Sequence, residues 1–258
     1  MKELDGIIKD FSDLIEVEAI ALGGSRATGV HDDQSDYDLY IYINKPINPK
    51  IREEILKKYS SYMEIGNQYW ELEDDCILNS SIPIDIIYRN LSDVVHNLNK
   101  VVYEHMPSNA YSTCIWNNML SCIILYDRKG LLAKVKNRYH LSYPEQLKSN
   151  IISRGMKLLS GYLPSFDAQI VKAAERHDLV SINHRITEFL ATYFDVLFAL
   201  NKLTHPGEKR MLEHSLKHCT LLPLNHQENI HSLLLNMTDP KIIKNTLESM
   251  MVELSKII

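Results

Sequence analysis

The sequence is poor in what would tie it to a membrane, a metal cluster or a nucleic acid. Its four cysteines, Cys76, Cys114, Cys122 and Cys219, form no C-x-x-C pair. That spacing excludes a sequence-evident zinc ribbon or dithiol redox centre and leaves thiols that read as small core residues of a reduced, cytoplasmic protein. His214 and His218 lie four apart beside Cys219, but no upstream ligand pair accompanies them, so they read as a solvated helix face. The longest apolar stretch, Phe189 to Leu200, contains Asp195 and is too short to span a bilayer. The polar start Met1-Lys2-Glu3-Leu4-Asp5 reads as helix and not as a signal peptide. No dense Lys/Arg run occurs and the net charge is −5, which argues against nucleic acid as a partner. Neither G-x-G-x-x-G nor a glycine-lysine-Ser/Thr P-loop is present.

What is present is a glycine-serine turn followed by spaced acids, in GGSRATGVHDDQSDYDLYIYIN. Ala19 to Leu22 is a short apolar run that reads as a buried strand, and it ends at Gly23-Gly24. Paired glycines let the backbone turn sharply and approach a ligand closely. Ser25 then adds a hydroxyl and an amide at the start of a short helix, where exposed N–H groups attract phosphate. Arg26 offers a positive charge nearby.

Asp36 and Asp38 stand two apart at the head of a second apolar run. In a strand such residues share a face. Tyr37, Leu39, Ile41 and Ile43 then point the other way, as a core face should. Two neighbouring carboxylates repel unless a cation lies between them, and Mg²⁺ takes one or two carboxylates together with substrate phosphate oxygens. Asp85 is a lone acid inside the apolar run Ile82 to Tyr88. An isolated buried carboxylate is costly, so it calls for a partner, a metal or an exposed face.

Glycine-serine, then Asp-x-Asp, then a third acid in a later strand resembles the nucleotidyltransferase superfamily typified by DNA polymerase beta, which includes the aminoglycoside and lincosamide nucleotidyltransferases. The strings Ile65 to Glu71, Tyr111 to Cys114, Ser181 to Arg185 and His205 to Arg210 are similar to a bacterial family in which that domain precedes a helical domain of unassigned function. The resemblance implies a metal-dependent enzyme, with two Mg²⁺ ions held by Asp36, Asp38 and Asp85. Gly24 and Ser25 would hold the phosphates of ATP or another nucleoside triphosphate. It implies in-line attack by an acceptor hydroxyl on the α-phosphorus, loss of pyrophosphate, and Asp85 as proton acceptor. A small-molecule acceptor, aminoglycoside-like in the antibiotic-modifying relatives, is the first expectation, with AMP as the transferred group. A protein or tRNA acceptor, as in regulatory or toxin–antitoxin relatives, is the alternative.

The expected fold class is α+β: a mixed sheet with flanking helices over residues 1–106, then a helical domain over 107–258 that completes the active-site cleft. Helical spacing of Ile7, Ile8, Phe11, Leu14 and Ile15 predicts a helix over residues 1–18. Residues 50–63 and 91–106 also read as helix, and 69–73 and 82–88 as strands. Strand patterning stops near residue 106. Helices then follow over 166–177, 180–203, 207–219, 225–236 and 240–257. Trp70 and Glu71 are candidates for the acceptor, as are His184 and Arg185 at the start of an apolar helix. Lys209 and Arg210 are candidates for the triphosphate. The pair Asp74-Asp75 reads as a solvated turn, and Tyr111 and Trp116 as core aromatics.

Overall fold

The computed structural model describes residues 2–29, 32, 35–69 and 71–258. The chain divides into two compact units, Met1–Asn99 with Asn118–Leu141, and Lys100–Asn117 with Ser142–Ile258. The first contains α1 (Lys2–Ser12), β1 (Val17–Leu22), α2 (Gly24–Thr28), β2 (Tyr37–Ile43), α3 (Pro49–Leu56), β3 (Ser60–Asn67), β4 (Glu73–Leu78) and β5 (Pro83–Arg89). After α4 (Leu91–Val102) and α5 (Cys114–Ser121), the unit is completed by β6 (Ile123–Asp127) and α6 (Leu131–Arg138).

The strand order is β3-β4-β5-β2-β1-β6. The sheet is mixed: β2 and β5 run parallel, and the other neighbouring pairs run antiparallel. One face packs on helices. Leu39, Ile41 and Ile43 of β2 join Ile84 and Ile86 of β5 and Cys76 and Leu78 of β4 in a core closed by Ile7 and Phe11 of α1 and Ile55 and Leu56 of α3. Each large apolar side chain so buried contributes about 1.5–3 kcal/mol. The alternation that sends these residues inward sends Asp38, Asp85 and Asp75 to the other face, where all three are half-buried.

Three expectations about local structure are corrected. The helix expected over residues 50–63 ends at Leu56, and β3 takes over from Ser60. Tyr59-Ser60-Ser61-Tyr62 are weak helix formers, and β4 offers them a hydrogen-bonding partner. The strand expected at 69–73 begins instead at Glu73, because Asp74, Cys76 and Leu78 supply the inward alternation. Strands also do not stop near residue 106. Ile123 to Asp127 pair with β1, a segment about a hundred residues earlier.

Asp74-Asp75 is no turn. Asp74 is fully buried, and its carboxylate takes a hydrogen bond from Arg52 Nη1 at 2.8 Å, from the Tyr88 hydroxyl at 2.7 Å and from the Gly66 amide at 2.8 Å. One carboxylate thereby ties α3, β3 and β5 to β4. Burial nevertheless pushes its pKa above the usual value, since a charge in the interior is only partly repaid by its partners.

The second unit contains α7 (Glu145–Leu159), α8 (Phe166–Glu175), α9 (Leu179–Leu200), α10 (Met211–His218), α11 (His226–Leu235) and α12 (Pro240–Ser255). From Ala191 to Leu200 every residue of α9 is buried, so it is the core helix. Two polar groups inside are fully accounted for. Asp195 accepts from the Ser112 amide at 2.9 Å and hydroxyl at 2.7 Å. His226 lies 3.0 Å from the Tyr193 hydroxyl and 2.9 Å from that of Ser215. Ser215 donates to the Leu212 carbonyl. His226 therefore donates from Nε2 to Ser215 and accepts from Tyr193 at Nδ1. None of the described helices is long and apolar enough to cross a membrane.

Candidate active site

β1 ends at Leu22 and the chain turns through Gly23 into α2. The turn is built directly against β2. The Gly23 amide donates to the Asp38 carbonyl at 2.8 Å. A Cβ at Gly23 would fall 2.3 Å from the Tyr40 ring, and one at Gly24 only 1.7 Å from Asp38 Oδ2. Gly24 also has φ +60°, the left-handed conformation that costs a residue with a side chain. Only glycine lets the α2 amides sit this close to the carboxylate. Ser25 follows, half-buried, in the first turn of α2.

Arg26 turns its guanidinium onto the loop before β2. Nε donates to the carbonyls of Ser35 at 3.0 Å and Asp36 at 2.9 Å, Nη2 donates to Ser35 at 2.5 Å, and the guanidinium lies 4.1 Å from the Tyr37 ring centre. It thus fixes the backbone that carries Asp36.

Asp38 and Asp85 are directly paired positions on parallel β2 and β5. Asp75 pairs with Asp85 across β4, and Glu64 pairs with Asp75 across β3. Paired residues send their side chains to the same face. Glu64, Asp75, Asp85 and Asp38 therefore form a transverse row across four strands, ending at the Gly23-Gly24 turn. Burial, then the charges of Asp36, Asp75, Asp38 and Glu73, push Asp85 up to about 6. Glu73 is likewise raised, by burial and by Asp75 and Glu71. Asp75 and Glu73 are the site residues that sequence reading missed. Their signal was the alternation Glu73, Asp75, Ile77 against Asp74, Cys76, Leu78, which places the two acids on the face that carries Asp38 and Asp85.

Among the described residues no group of three or more His, Cys, Asp and Glu side chains is arranged to hold a metal ion. The donors still fit Mg²⁺ in kind and in charge. They are hard carboxylate oxygens, the charges that raise Asp85 come chiefly from neighbouring acids, and Mg²⁺ needs only one or two carboxylates when phosphate oxygens and waters complete its shell.

The other candidates fall as follows. Glu71 receives both Nε and Nη2 of Arg89, at 2.7 and 2.5 Å, and the Arg89 guanidinium lies 4.1 Å from the Tyr40 ring centre. Trp70 lies outside the described residues. His184 and Arg185 do not open a helix: they sit in the second turn of α9, whose cap is Asp178, accepting from the Ser181 amide at 3.1 Å. Lys209 and Arg210 are exposed just before α10. Trp116 is buried, with its ring 5.4 Å from that of Tyr143. The strings around Tyr111 and His205 meet within the second unit. Thr113 Oγ1 accepts from the His205 amide at 2.8 Å, and the Tyr111 ring stands edge-on to the His205 ring at 4.7 Å.

Comparison with known proteins sets this geometry in a family. Residues 4–107 match the family model of the nucleotidyltransferase domain, and residues 109–211 match that of a domain of unknown function, DUF4037. The chain carries a nucleotidyltransferase domain over residues 4–107, followed by a DUF4037 domain over residues 109–211. Solved structures similar to this nucleotidyltransferase-domain protein include three from bacteria. A nucleotidyltransferase-like protein from Exiguobacterium sibiricum is 10% identical over 99% of this chain and 73% of its own, with a TM-score of 0.47. An aminoglycoside 6-adenyltransferase from Bacillus subtilis is 10% identical over 100% and 91%, with a TM-score of 0.32. A Thermotoga maritima CCA-adding enzyme complexed with tRNA is 10% identical over 98% and 80%, with a TM-score of 0.31. At these identities and scores the likeness assigns neither substrate nor mechanism. No curated protein matches the chain.

Proposed function

We infer that the protein transfers a nucleoside monophosphate, AMP from ATP in the first instance, to a hydroxyl of a small molecule and releases pyrophosphate. The observation that carries this reading is the contact of Gly24 with Asp38, which is itself in register with Asp85. It sets a glycine turn against paired carboxylates within a nucleotidyltransferase domain.

Asp36, Asp38 and Asp85 would hold Mg²⁺. When bound, Mg²⁺ neutralises the triphosphate and polarises the phosphorus under attack. The protein's own groups do the rest by positioning. The Gly24 and Ser25 amides donate to phosphate oxygens at the turn. Arg26 keeps Asp36 in place by holding its carbonyl. Asp85 accepts the proton of the acceptor hydroxyl at a carboxylate oxygen. The new bond joins the acceptor oxygen to the α-phosphorus, the bond from that phosphorus to the bridging oxygen breaks, and pyrophosphate takes the electron pair. Trp70 and Glu71, which precede β4, are assigned to the acceptor.

The test is transfer from [α-³²P]ATP with Mg²⁺ to pools of hydroxylated small molecules, total protein and total RNA. Label on a small molecule supports the reading. Label on protein or RNA alone replaces the acceptor class, and no label from any nucleoside triphosphate overturns it.

A further inference from the structure

Asp75 enters no step above. It is the directly paired neighbour of Asp85 on the side away from Asp38, and adjacent strands lie about 4.8 Å apart. Its orientation is built in. Asn67 Nδ2 donates to Asp75 Oδ2 at 2.8 Å, and Asn67 Oδ1 accepts from the Tyr69 amide at 3.0 Å. The two bonds fix which end of the Asn67 amide faces the carboxylate. An amide orients a carboxylate without neutralising it. The contrast is one residue away, where Asp74 on the opposite face is given an arginine. The fold thus gives the acid in its core a guanidinium and gives the acid beside Asp85 only an amide.

We propose that Asp75 is a positioning residue of the cation site: aimed by Asn67, it touches no reacting group but deepens the negative potential around Asp85 and Asp38, so that a divalent cation is held more tightly. This rests on the reading of Asp36, Asp38 and Asp85 as the cation-holding groups. It makes two predictions of opposite sign. Carboxylates side by side across strands repel one another when no cation is present, so Asp75→Asn relieves the ion-free protein. The same change weakens cation binding, by about 10–100-fold if Asp75 acts as outer groups around metal ligands do. An Asp75 that served only to pin the β3–β4 connection would behave differently, since losing it would lower stability whether or not a cation were present.

The experiment uses the full chain, with Mn²⁺ alone and Mn²⁺ with the non-hydrolysable analogue AMPCPP as probes. Mn²⁺ affinity is read by electron paramagnetic resonance, and melting temperature with and without the ion. The expected result is an Asp75→Asn chain that melts no lower than wild type without Mn²⁺, binds Mn²⁺ at least tenfold more weakly, and gains less on adding it. Asn67→Ala should lose affinity in the same direction by less. Unchanged affinity in Asp75→Asn, while Asp38→Asn abolishes binding, overturns this inference alone, as does a lowered ion-free melting temperature. A wild-type chain that binds no Mn²⁺ even with AMPCPP overturns it together with the reading beneath it.

Discussion

Replacing Gly24 by alanine separates the two demands this turn makes. The first is conformational: φ +60° costs an alanine about 1–2 kcal/mol. The second is steric, because the added methyl would lie 1.7 Å from Asp38 Oδ2, where real Cβ contacts stay beyond 3.0 Å. The carboxylate must retreat by more than about 1 Å, and a displacement of that size at a reacting centre costs about 100-fold in rate. Gly29 supplies the control. It closes the same short helix at φ +74°, and among the described residues no atom lies within 4 Å of the position a Cβ would take. From the conformational term alone, both variants should melt about 2–8 °C below wild type. Only Gly24→Ala should lose turnover, by about 100-fold or more, in a pyrophosphate-release assay with the acceptor found by labelling. Equal losses in the two variants would show that strain in the helix, and not the Asp38 contact, sets the activity. Wild-type turnover in Gly24→Ala would refute the reasoning outright.

Asp38→Ala and Asp36→Asn should abolish pyrophosphate release with the fold intact by circular dichroism; retained turnover would remove the mechanism. Asp85→Asn should lower kcat far more than it weakens nucleotide binding, and equal losses would argue against its role as proton acceptor. Arg52→Ala strands the Asp74 carboxylate in the core and should cost about 3–5 kcal/mol by urea unfolding; a loss below about 1 kcal/mol would show the pair to be dispensable. Burial pushes His226 from 6.5 down to about 4, so the unfolded chain takes a proton there that the folded one refuses. Its contribution is complete above pH 6.5 and falls as pH drops toward 4, by up to about 1.4 kcal/mol per pH unit. His226→Gln, with its own amide for Tyr193 and Ser215, should therefore lose less stability than wild type between pH 6.5 and 4.5. Parallel curves would refute the assignment.

The helical half was legible because its signal is local. Apolar residues recur at helical spacing through α8, α9, α11 and α12, and each helix is bounded by residues that cap or break it. The strand ends near the site were legible for a chemical reason: glycine and aspartate are out of place beside buried runs unless something is bound there. What escaped depended on partners distant in sequence. β6 is a five-residue strand whose partner, β1, lies about a hundred residues earlier. The helix read through residue 63 stops at Leu56 because β3 gains a neighbour in β4, which no window over residues 50–63 contains. Asp74 looked solvated because Arg52 is 22 residues away. His184 and Arg185 resemble a helix start in sequence because the apolar run follows them, whereas the capping bond belongs to Asp178.

Asp74 and Asp85 show how structural and functional acids differ once the fold is known. They lie on adjacent strands, and burial is the largest influence raising the pKa of each. At Asp74 the opposing influences are supplied by the protein: a guanidinium, a phenol and a backbone amide. At Asp85 the strongest further influences are other acids, Asp36, Asp75, Asp38 and Glu73. A fold that can place Arg52 under one strand had the means to neutralise its neighbour. Concentrating like charge there costs stability, which a cation bound only by the folded chain offsets by mass action. Divalent ions should accordingly raise the melting temperature of the wild-type chain and leave that of an Asp36→Asn, Asp38→Asn, Asp85→Asn triple variant unchanged. Equal rises in both would locate the ion elsewhere, and the charge at Asp85 would then have no ligand to explain it.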